Sequence, residues 1–201
     1  MLQSFEIPIV FTLPYGLAFW IVSAWVYYPE WRILKSQTGM AAKSGQDRGS
    51  IKLIIIGGQI GSLLGFAAAI FLPGATILQF RYEVYWLGVA LLIAAGLLRR
   101  HCFRMLGSSF TGSVIVQPDQ TIVERGAYKW VRHPSYSAAF LLYISFGVML
   151  TNWMSIVVFL LTSTIMYSYR MVVEERALVE TLGEPYREYM KRTKRLIPFV
   201  L

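Results

Sequence analysis

The side chains best suited to chemistry lie in two short clusters in the second half of the chain. The first cluster, residues 124–136, is dense in aromatic, cationic and hydroxyl groups, and it includes His133, Pro134 and Tyr136 directly before an apolar run. Pro134 suits the first turn of a helix, because its missing N–H would have no partner there. The free amides and positive dipole end of that helix would favour a carboxylate or another polar ligand group.

The second cluster lies at the end of the last apolar run and contains Tyr167, Tyr169, Arg170, Glu174, Glu175 and Arg176. Arg170 and Glu174 are four residues apart and share one helical face, a spacing that an ordinary surface ion pair would also explain. Ionisable groups at membrane depth are costly, however, and usually face an interior or a polar cavity. The second cluster is therefore a candidate site, although its spacing alone does not identify a ligand.

Metal binding and hydrolysis are weaker interpretations of these residues. No helical histidine pair, thiolate set or compact carboxylate group has ligand spacing, so we expect no metal site at His101 or His133. Ser135, His133 and Glu174 could form a hydrolase triad, but no strand-to-helix elbow accompanies Ser135. The single cysteine, Cys102, excludes an internal disulfide and is expected to be a small apolar residue near a helix end.

The elements that must position the two clusters are membrane helices. Of the 201 residues, 56% are hydrophobic and 15% are charged, which is too apolar for one water-soluble core of this length. A bilayer core of about 30 Å needs roughly 20 apolar residues of helix. Five segments qualify, namely 7–28, 51–72, 82–98, 135–150 and 153–173. The predicted fold class is thus an all-α integral membrane protein with a single membrane domain over residues 1–201 and about five transmembrane helices.

Several local features refine this picture of the membrane segments. The first segment has no cationic region before it and no small-residue cleavage site after it, so we expect it to remain as a membrane helix. Pro14 within it and the glycines at 57, 58, 61 and 65 are tolerated in membrane helices, and the glycines indicate close helix packing. Only Thr151 and Asn152 separate the last two segments, which predicts a tight antiparallel helical hairpin that brings the two clusters together.

The excess of basic over acidic residues indicates the orientation of the chain in the membrane. Lys and Arg outnumber Asp and Glu by 19 to 11, and these cations concentrate in the first loop, after the third segment and at the end of the chain. Because cytoplasmic loops carry such an excess, we expect the N-terminus outside and the C-terminus and pocket in the cytoplasm. Cations that flank apolar runs point to membrane lipids rather than to nucleic acid as partner, and nothing in the sequence indicates an oligomeric state.

An ordered set of short motifs covers about the last two fifths of the chain. It comprises Gly126-Ala127-Tyr128, Arg132-His133-Pro134-Ser135-Tyr136, the helical hairpin, Glu174-Glu175, Gly183-Glu184-Pro185-Tyr186-Arg187-Glu188-Tyr189 and Arg195-Leu196-Ile197-Pro198. Together these motifs resemble the isoprenylcysteine carboxyl methyltransferase family. The resemblance implies an integral membrane enzyme that uses S-adenosylmethionine as cofactor. It divides the chain into three N-terminal transmembrane helices with their loops, 1–112, and a methyltransferase catalytic region, 113–201.

The resemblance also implies roles for individual residues, carried over position by position. The cofactor site would be lined by Gln117, Gln120, Thr121, Ile122, Val123, Tyr128, His133, Pro134, Ser135, Tyr136 and Glu174. Glu174 would hold the amino group of the cofactor, and Arg170 would be the catalytic residue that binds the substrate. The implied acceptor is the α-carboxylate of an isoprenylated cysteine or a similar lipophilic carboxylate that enters from the bilayer. Such a carboxylate is already ionised at neutral pH, so no strong general base is needed.

Three alternatives stay open at this level. The motifs mostly describe the cofactor pocket, so a phospholipid amine or a small thiol fits as acceptor nearly as well. A membrane reductase that uses NADPH shares the hairpin architecture, and a transporter or structural subunit could keep the fold without binding a cofactor. Retention of S-adenosylhomocysteine would favour methyl transfer, whereas retention of NADPH would favour reduction.

Overall fold

A computed structural model describes residues 7–37, 46–107, 114–116 and 120–197. Over these residues the chain forms six α-helices, which are α1 (Tyr15–Gln37), α2 (Ser50–Phe71), α3 (Arg81–Leu106), α4 (Pro134–Met149), α5 (Trp153–Leu182) and α6 (Glu184–Arg192). Short 3-10 turns lie at Ile9–Phe11, Pro73–Ala75 and Gly126–Lys129. The predicted all-helical fold is confirmed.

Three helices, α2, α3 and α5, are long and apolar enough to cross a membrane. Helix α4 is equally apolar in character but has only 16 residues. The apolar core lies where α1, α3, α4 and α5 meet and is built from side chains such as Phe19, Tyr85, Leu92, Leu142 and Phe159. The long helices therefore bury one face against each other and leave large apolar side chains on their outer faces.

The first helix differs from the prediction. We expected a span over 7–28 that contained Pro14, but α1 begins at Tyr15, directly after Pro14, and runs to Gln37. Residues Ile9–Phe11 form a separate 3-10 turn after Pro8. Placing Pro14 within the first helix was wrong, because hydropathy is continuous across the boundary between Pro14 and Tyr15 and does not reveal it. A proline is not excluded from the helix in general, since α1 contains Pro29 in its interior.

The structure of α5 and α6 also goes beyond what the sequence analysis predicted. Helix α5 continues beyond residue 173 to Leu182 and ends at Gly183, whose φ of +64° lies in the left-handed region that favours glycine. Helix α6 then begins at Glu184, with Pro185 in its first turn. The acidic Glu184 and the basic Arg192 at opposite ends of α6 both suit the helix dipole.

The glycines of α2 allow it to pack closely on α5. A Cβ atom at Gly61 would lie 2.5 Å from Cγ2 of Thr162, and one at Gly57 would lie 2.8 Å from Sδ of Met166. Gly65 is equally close to the ring of Phe159. Real Cβ contacts are not this short, so only residues without a side chain fit here. The predicted role of these glycines in helix packing is confirmed.

The predicted hairpin between α4 and α5 is present, and its turn is anchored to the preceding helices. Asn152 caps α5, because its Oδ1 accepts a hydrogen bond from the Ser155 N–H at 3.1 Å, while its Nδ2 donates to the Leu72 carbonyl at 3.1 Å. The N–H of Ile77 donates to the Thr151 carbonyl at 2.8 Å. The connection between α2 and α3 thus lies against the hairpin turn at one end of the bundle.

At the opposite end of the bundle, the segment after α6 returns to the start of α4. The Lys194 N–H donates to the Trp130 carbonyl at 3.1 Å, and the Arg132 N–H donates to the Lys194 carbonyl at 2.7 Å. The His133 N–H continues the pairing to the Arg195 carbonyl at 3.0 Å. These bonds fix the loop that leads into α4.

Candidate active site

A cleft of about 830 Å³, part of it open to solvent, lies at the end of the bundle away from the hairpin turn. Most of the residues predicted to line a cofactor site do form the walls of this cleft. They are Gln120, Thr121, Ile122, Val123, Tyr128, His133, Ser135, Tyr136 and Glu174. Arg170 lines the same cleft. Pro134 is buried at the first turn of α4 and does not line the cleft, and Gln117 lies outside the described residues. The hairpin thus brings the two clusters of the sequence together in one cavity.

Tyr136 links the two charged residues of α5 that face this cleft. Its hydroxyl donates a hydrogen bond to Oε2 of Glu174 and accepts one from Nε of Arg170 at 3.1 Å. Because Tyr136 comes from the first turn of α4, the hydroxyl fixes the relative position of both helices. The side chain of Glu174 is 31% exposed, so its carboxylate remains accessible from the cleft.

Arg170 is held from its other side by the start of α2. Its Nη1 donates to Oδ1 of Asp47 at 2.5 Å and to Oγ of Ser50 at 2.7 Å. Arg170 and Asp47 are only 4% and 6% exposed, so this is a buried ion pair. Sequence analysis missed Asp47, since it lies 123 residues away in a loop that otherwise reads as basic. The one available signal was an acidic side chain close to the start of a helix, where the helix dipole favours a negative charge.

The pKa of Asp47 reflects these contacts. Burial acts to raise the pKa, but hydrogen bonds from the backbone N–H groups of Ile51 and Val114 and the nearby charge of Arg170 outweigh it. The pKa therefore lies below the ordinary aspartate value, and the carboxylate is ionised at neutral pH.

Glu175, the neighbour of Glu174, points into a different environment. Its carboxylate accepts hydrogen bonds from Nε of Arg132 at 3.0 Å and from Nη2 of Arg195 at 2.6 Å. It also lies 3.2 Å from Nε2 of His133. The hydrogen bond to Glu175 raises the pKa of Arg195. The paired glutamates of the motif thus divide between two tasks, since Glu174 faces the cleft and Glu175 binds the C-terminal segment to the start of α4.

His133 sits at the junction of these two environments. Its ring stacks on Tyr136 with the centroids 5.3 Å apart, and its Nδ1 lies 4.0 Å from Oε2 of Glu174. Because Glu175 can only accept, Nε2 carries a proton in this arrangement. His133 is therefore fixed in orientation by Glu175 while it lines the cleft.

Tyr128 contributes a buried polar atom to the cleft wall. Its hydroxyl lies near Cys102 and Ser135, but it makes no hydrogen bond that meets the geometric criteria with any of the described residues. Burial raises the pKa of Tyr128 above its usual range and that of Tyr189 to about 12, so both phenols are neutral hydrogen-bond donors at neutral pH. The hydroxyl of Tyr189 donates to the Tyr128 carbonyl at 2.6 Å, which ties α6 to this wall.

The remaining walls of the cleft include residues to which sequence analysis gave no individual role. They are Leu106, Val114, Ile115, Val116, Arg132, Leu178, Leu182, Tyr186 and Tyr189. The tyrosines were visible only as part of the motif over 183–189, and their spacing of three residues on a short helix was the signal for one buried face. The aliphatic side chains give the cleft apolar walls beside its ionic residues.

The fold and the site together define a class of protein. A helical bundle with three described helices able to cross a membrane is a multi-pass integral membrane protein, and the ionic cleft at one end is its candidate site. The family of isoprenylcysteine carboxyl methyltransferases matches residues 87–180. The chain is therefore similar to this family over the region that contains α4 and most of α5.

Individual relatives agree with the family match. The chain is 30% identical over 140 residues to a protein-S-isoprenylcysteine O-methyltransferase of Tribolium castaneum, covering 67% of this chain and 48% of the relative. It is 29% identical over 136 residues to protein-S-isoprenylcysteine O-methyltransferase B of Arabidopsis thaliana, covering 67% of this chain and 68% of the relative. The chain spans about half the length of most of the curated relatives it matches.

A solved structure shares the fold. The structure of the eukaryotic intramembrane Ras methyltransferase ICMT superposes with a TM-score of 0.68 at 23% sequence identity. The match covers 96% of this chain and 70% of that protein. It therefore includes α1 and α2, which the family match over residues 87–180 leaves out.

Proposed function

We propose that the protein is an integral membrane, S-adenosylmethionine-dependent protein-S-isoprenylcysteine O-methyltransferase. The acceptor is the α-carboxylate of an isoprenylated cysteine or a similar lipophilic carboxylate. The observation that carries this proposal is the meeting of Arg170, Tyr136 and Glu174 in a cleft that has both ionic residues and apolar walls. The similarity of the chain to the isoprenylcysteine carboxyl methyltransferase family supports the same reaction.

The cleft fits S-adenosylmethionine in its chemistry. Glu174 offers an accessible carboxylate for the amino group, and the Tyr128 hydroxyl is a buried donor that lacks a partner among the described residues. Gln120, Thr121, Ile122, Val123, His133, Ser135 and Tyr136 would complete this cofactor site. Gln117 and Pro134, which adjoin lining residues in the sequence, also belong to the proposed cofactor-binding set.

When bound, S-adenosylmethionine would supply an activated methyl group for transfer from its sulfur to an oxygen of the acceptor carboxylate. Glu174 would hold its amino group, and Arg170 would orient the acceptor. A partly dry cleft would favour this reaction, because opposite charges are neutralised in it. No proton has to be removed, which agrees with a site that needs no strong general base.

Arg170 is the residue that we propose to bind the acceptor carboxylate. Its guanidinium is fixed by Asp47, Ser50 and Tyr136 before any substrate arrives. A pre-oriented guanidinium attracts a carboxylate by its positive charge, and correct alignment of the two reactants accounts for much of the rate gain in such displacements.

We further propose that the five helices α1 to α5 all cross the bilayer, with the cleft on the cytoplasmic side and the start of α1 outside. The cation-rich loops lie at the cleft end of the bundle, which supports this orientation through the positive-inside rule. The acceptor then enters laterally from the bilayer among the membrane lipids, and the cofactor enters from the cytoplasm. In this scheme residues 113–201 form the methyltransferase catalytic region and residues 1–112 form a supporting part of the same membrane domain.

The proposal is tested with detergent-purified protein and two variants of one helix. Calorimetric titration should detect binding of S-adenosylhomocysteine and not of NADPH. Radiolabelled methyl transfer to a prenylcysteine should fall at least about 100-fold in Arg170→Ala, since a buried charge-assisted contact to the acceptor is lost. Arg176→Ala is the matched control, because Arg176 is exposed on the same helix and does not line the cleft.

Three results would contradict the proposal or one of its parts. Binding of NADPH in place of S-adenosylhomocysteine would indicate a reductase. Transfer to a phospholipid amine or a small thiol, with no transfer to the prenylcysteine, would leave a methyltransferase with a different acceptor. An Arg170→Ala protein as active as Arg176→Ala would remove Arg170 from the acceptor site.

A further inference from the structure

The start of α2 joins three separate parts of the molecule through one carboxylate. Oδ1 of Asp47 accepts hydrogen bonds from Nη1 of Arg170 at 2.5 Å, from Oγ of Ser50 at 3.0 Å and from the Val114 N–H at 3.0 Å. Its Oδ2 accepts the Ile51 N–H at 3.0 Å, so the residue also caps α2. A loop in the first half of the chain is thereby attached to α5 and to the segment 114–116.

The neighbouring residue strengthens the attachment to that segment. Oε1 of Gln46 accepts the Val116 N–H at 2.9 Å. The side chains of Gln46 and Asp47 therefore hold two backbone amides of the segment 114–116. Val114 and Val116 are buried and line the cleft, so this loop holds one of its walls.

We propose that Asp47 is a positioning residue for methyl transfer, acting through Arg170. The proposal rests on the function proposed above. It concerns a part of the chain that the family match over residues 87–180 does not include. Asp47 holds the guanidinium of Arg170 in the direction that an acceptor carboxylate requires, so the site is completed by the loop before α2.

The reason lies in the burial of the ion pair. A guanidinium that is 4% exposed is costly without a compensating charge. If the charge of Asp47 is removed, Glu174 becomes the nearest competing carboxylate, one helical turn along α5 and already joined to Arg170 through Tyr136. Arg170 would then turn towards the cofactor side of the cleft and away from the acceptor.

The test uses Asp47→Asn with Gln46→Ala as matched control. Asparagine keeps the shape of the side chain and an oxygen for the Val114 N–H, but it lacks the charge and the acceptor for the Ile51 N–H, whereas Gln46→Ala removes only the bond to Val116. For Asp47→Asn we expect kcat/KM for a prenylcysteine to fall about 10- to 100-fold, the usual effect of losing one charge-assisted hydrogen bond. Its Kd for S-adenosylhomocysteine, measured by calorimetry, should change by less than about twofold, and Gln46→Ala should lower kcat/KM by less than about threefold.

A double-mutant cycle separates positioning from a merely structural role. In an Arg170→Lys background Asp47→Asn should change kcat/KM by less than about twofold, because its effect runs through the arginine. Equal losses in both backgrounds, or an equal loss in Gln46→Ala, would overturn the proposal. If Asp47→Asn does not fold, Ser50→Ala serves instead, since it removes another acceptor of the same Arg170 nitrogen. We then expect Ser50→Ala to lower kcat/KM in the protein that has Arg170 and not in the Arg170→Lys variant. An unchanged kcat/KM in both proteins would overturn the proposal.

The proposed function and the positioning role can fail separately. A wild-type protein that methylates no prenylcysteine contradicts the function, whatever the variants do. In that case the coupling between Asp47 and Arg170 is measured from the apparent melting temperatures of the wild type, the two single variants and the double variant. Shifts that are smaller in the double variant than the sum of the single ones support the coupling, and fully additive shifts overturn it.

Discussion

Replacing Glu175 with Gln should loosen the C-terminal segment from the start of α4. The glutamate carboxylate receives Arg132 and Arg195 and lies beside His133. Glutamine has nearly the same shape, but it lacks the negative charge and turns an N–H group towards cationic donors. The change therefore removes the attraction while the space remains filled.

The magnitude follows from how deeply each partner is buried. The side chains of Glu175 and Arg132 are 6% and 9% exposed, and breaking a buried pair of this kind costs about 3–5 kcal/mol. Arg195 is 48% exposed, so its contact adds about 1 kcal/mol at most. Because glutamine keeps one acceptor oxygen, we expect the lower part of the range, about 3 kcal/mol. For a chain of this length that corresponds to a fall of about 6–12 °C in Tm.

The assay is thermal unfolding of the detergent-purified protein at one fixed scan rate, since unfolding of membrane proteins is often irreversible. Glu184→Gln is the control, because Glu184 is an exposed glutamate whose ion pairs lie on the surface of α6. The control should shift Tm by less than about 2 °C. Trypsin should also cleave at Lys194 and Arg195 faster in Glu175→Gln than in the control. A Tm equal to that of the control, with unchanged cleavage, would refute the view that Glu175 holds this segment in place.

Three further changes test other parts of the structure. Tyr136→Phe removes the hydroxyl that orients Glu174, so calorimetry should show affinity for S-adenosylhomocysteine about tenfold weaker; unchanged affinity would mean that Glu174 needs no such support. Gly65→Ala places a methyl group against α5 and should destabilise the protein by about 1–3 kcal/mol in thermal unfolding, whereas Gly74→Ala, which meets open space, should not. The lowered pKa of Asp47 means that its contribution to stability is complete above the unfolded value of about 3.9 and is lost as the pH falls through the lower folded value. The Tm should therefore drop in acid, and a drop of the same size in Asp47→Asn would exclude this carboxylate as the cause.

Local sequence features were sufficient to predict most of the site. The hydrophobic runs predicted the long helices, and the two residues between the last runs predicted the hairpin. A hairpin with so short a turn has one possible arrangement, so it necessarily brought the cluster around Tyr136 next to the cluster around Arg170. For this reason most of the predicted lining residues do line one cleft. Their roles in binding cofactor and acceptor stay predictions.

The tertiary structure alone decided which charged groups pair. Asp47 and Arg170 are 123 residues apart, and no periodicity connects a loop residue to a distant helix. Glu174 and Glu175 are adjacent, yet one faces the cleft and the other the C-terminal segment, because successive helical residues point about 100° apart and only the packed neighbours determine what each one meets. The sequence by itself determined the helices, their hairpin and the residue types of the site. The docking of the loop before α2 and of the C-terminal segment depended on long-range contacts whose energies arise only in the folded chain.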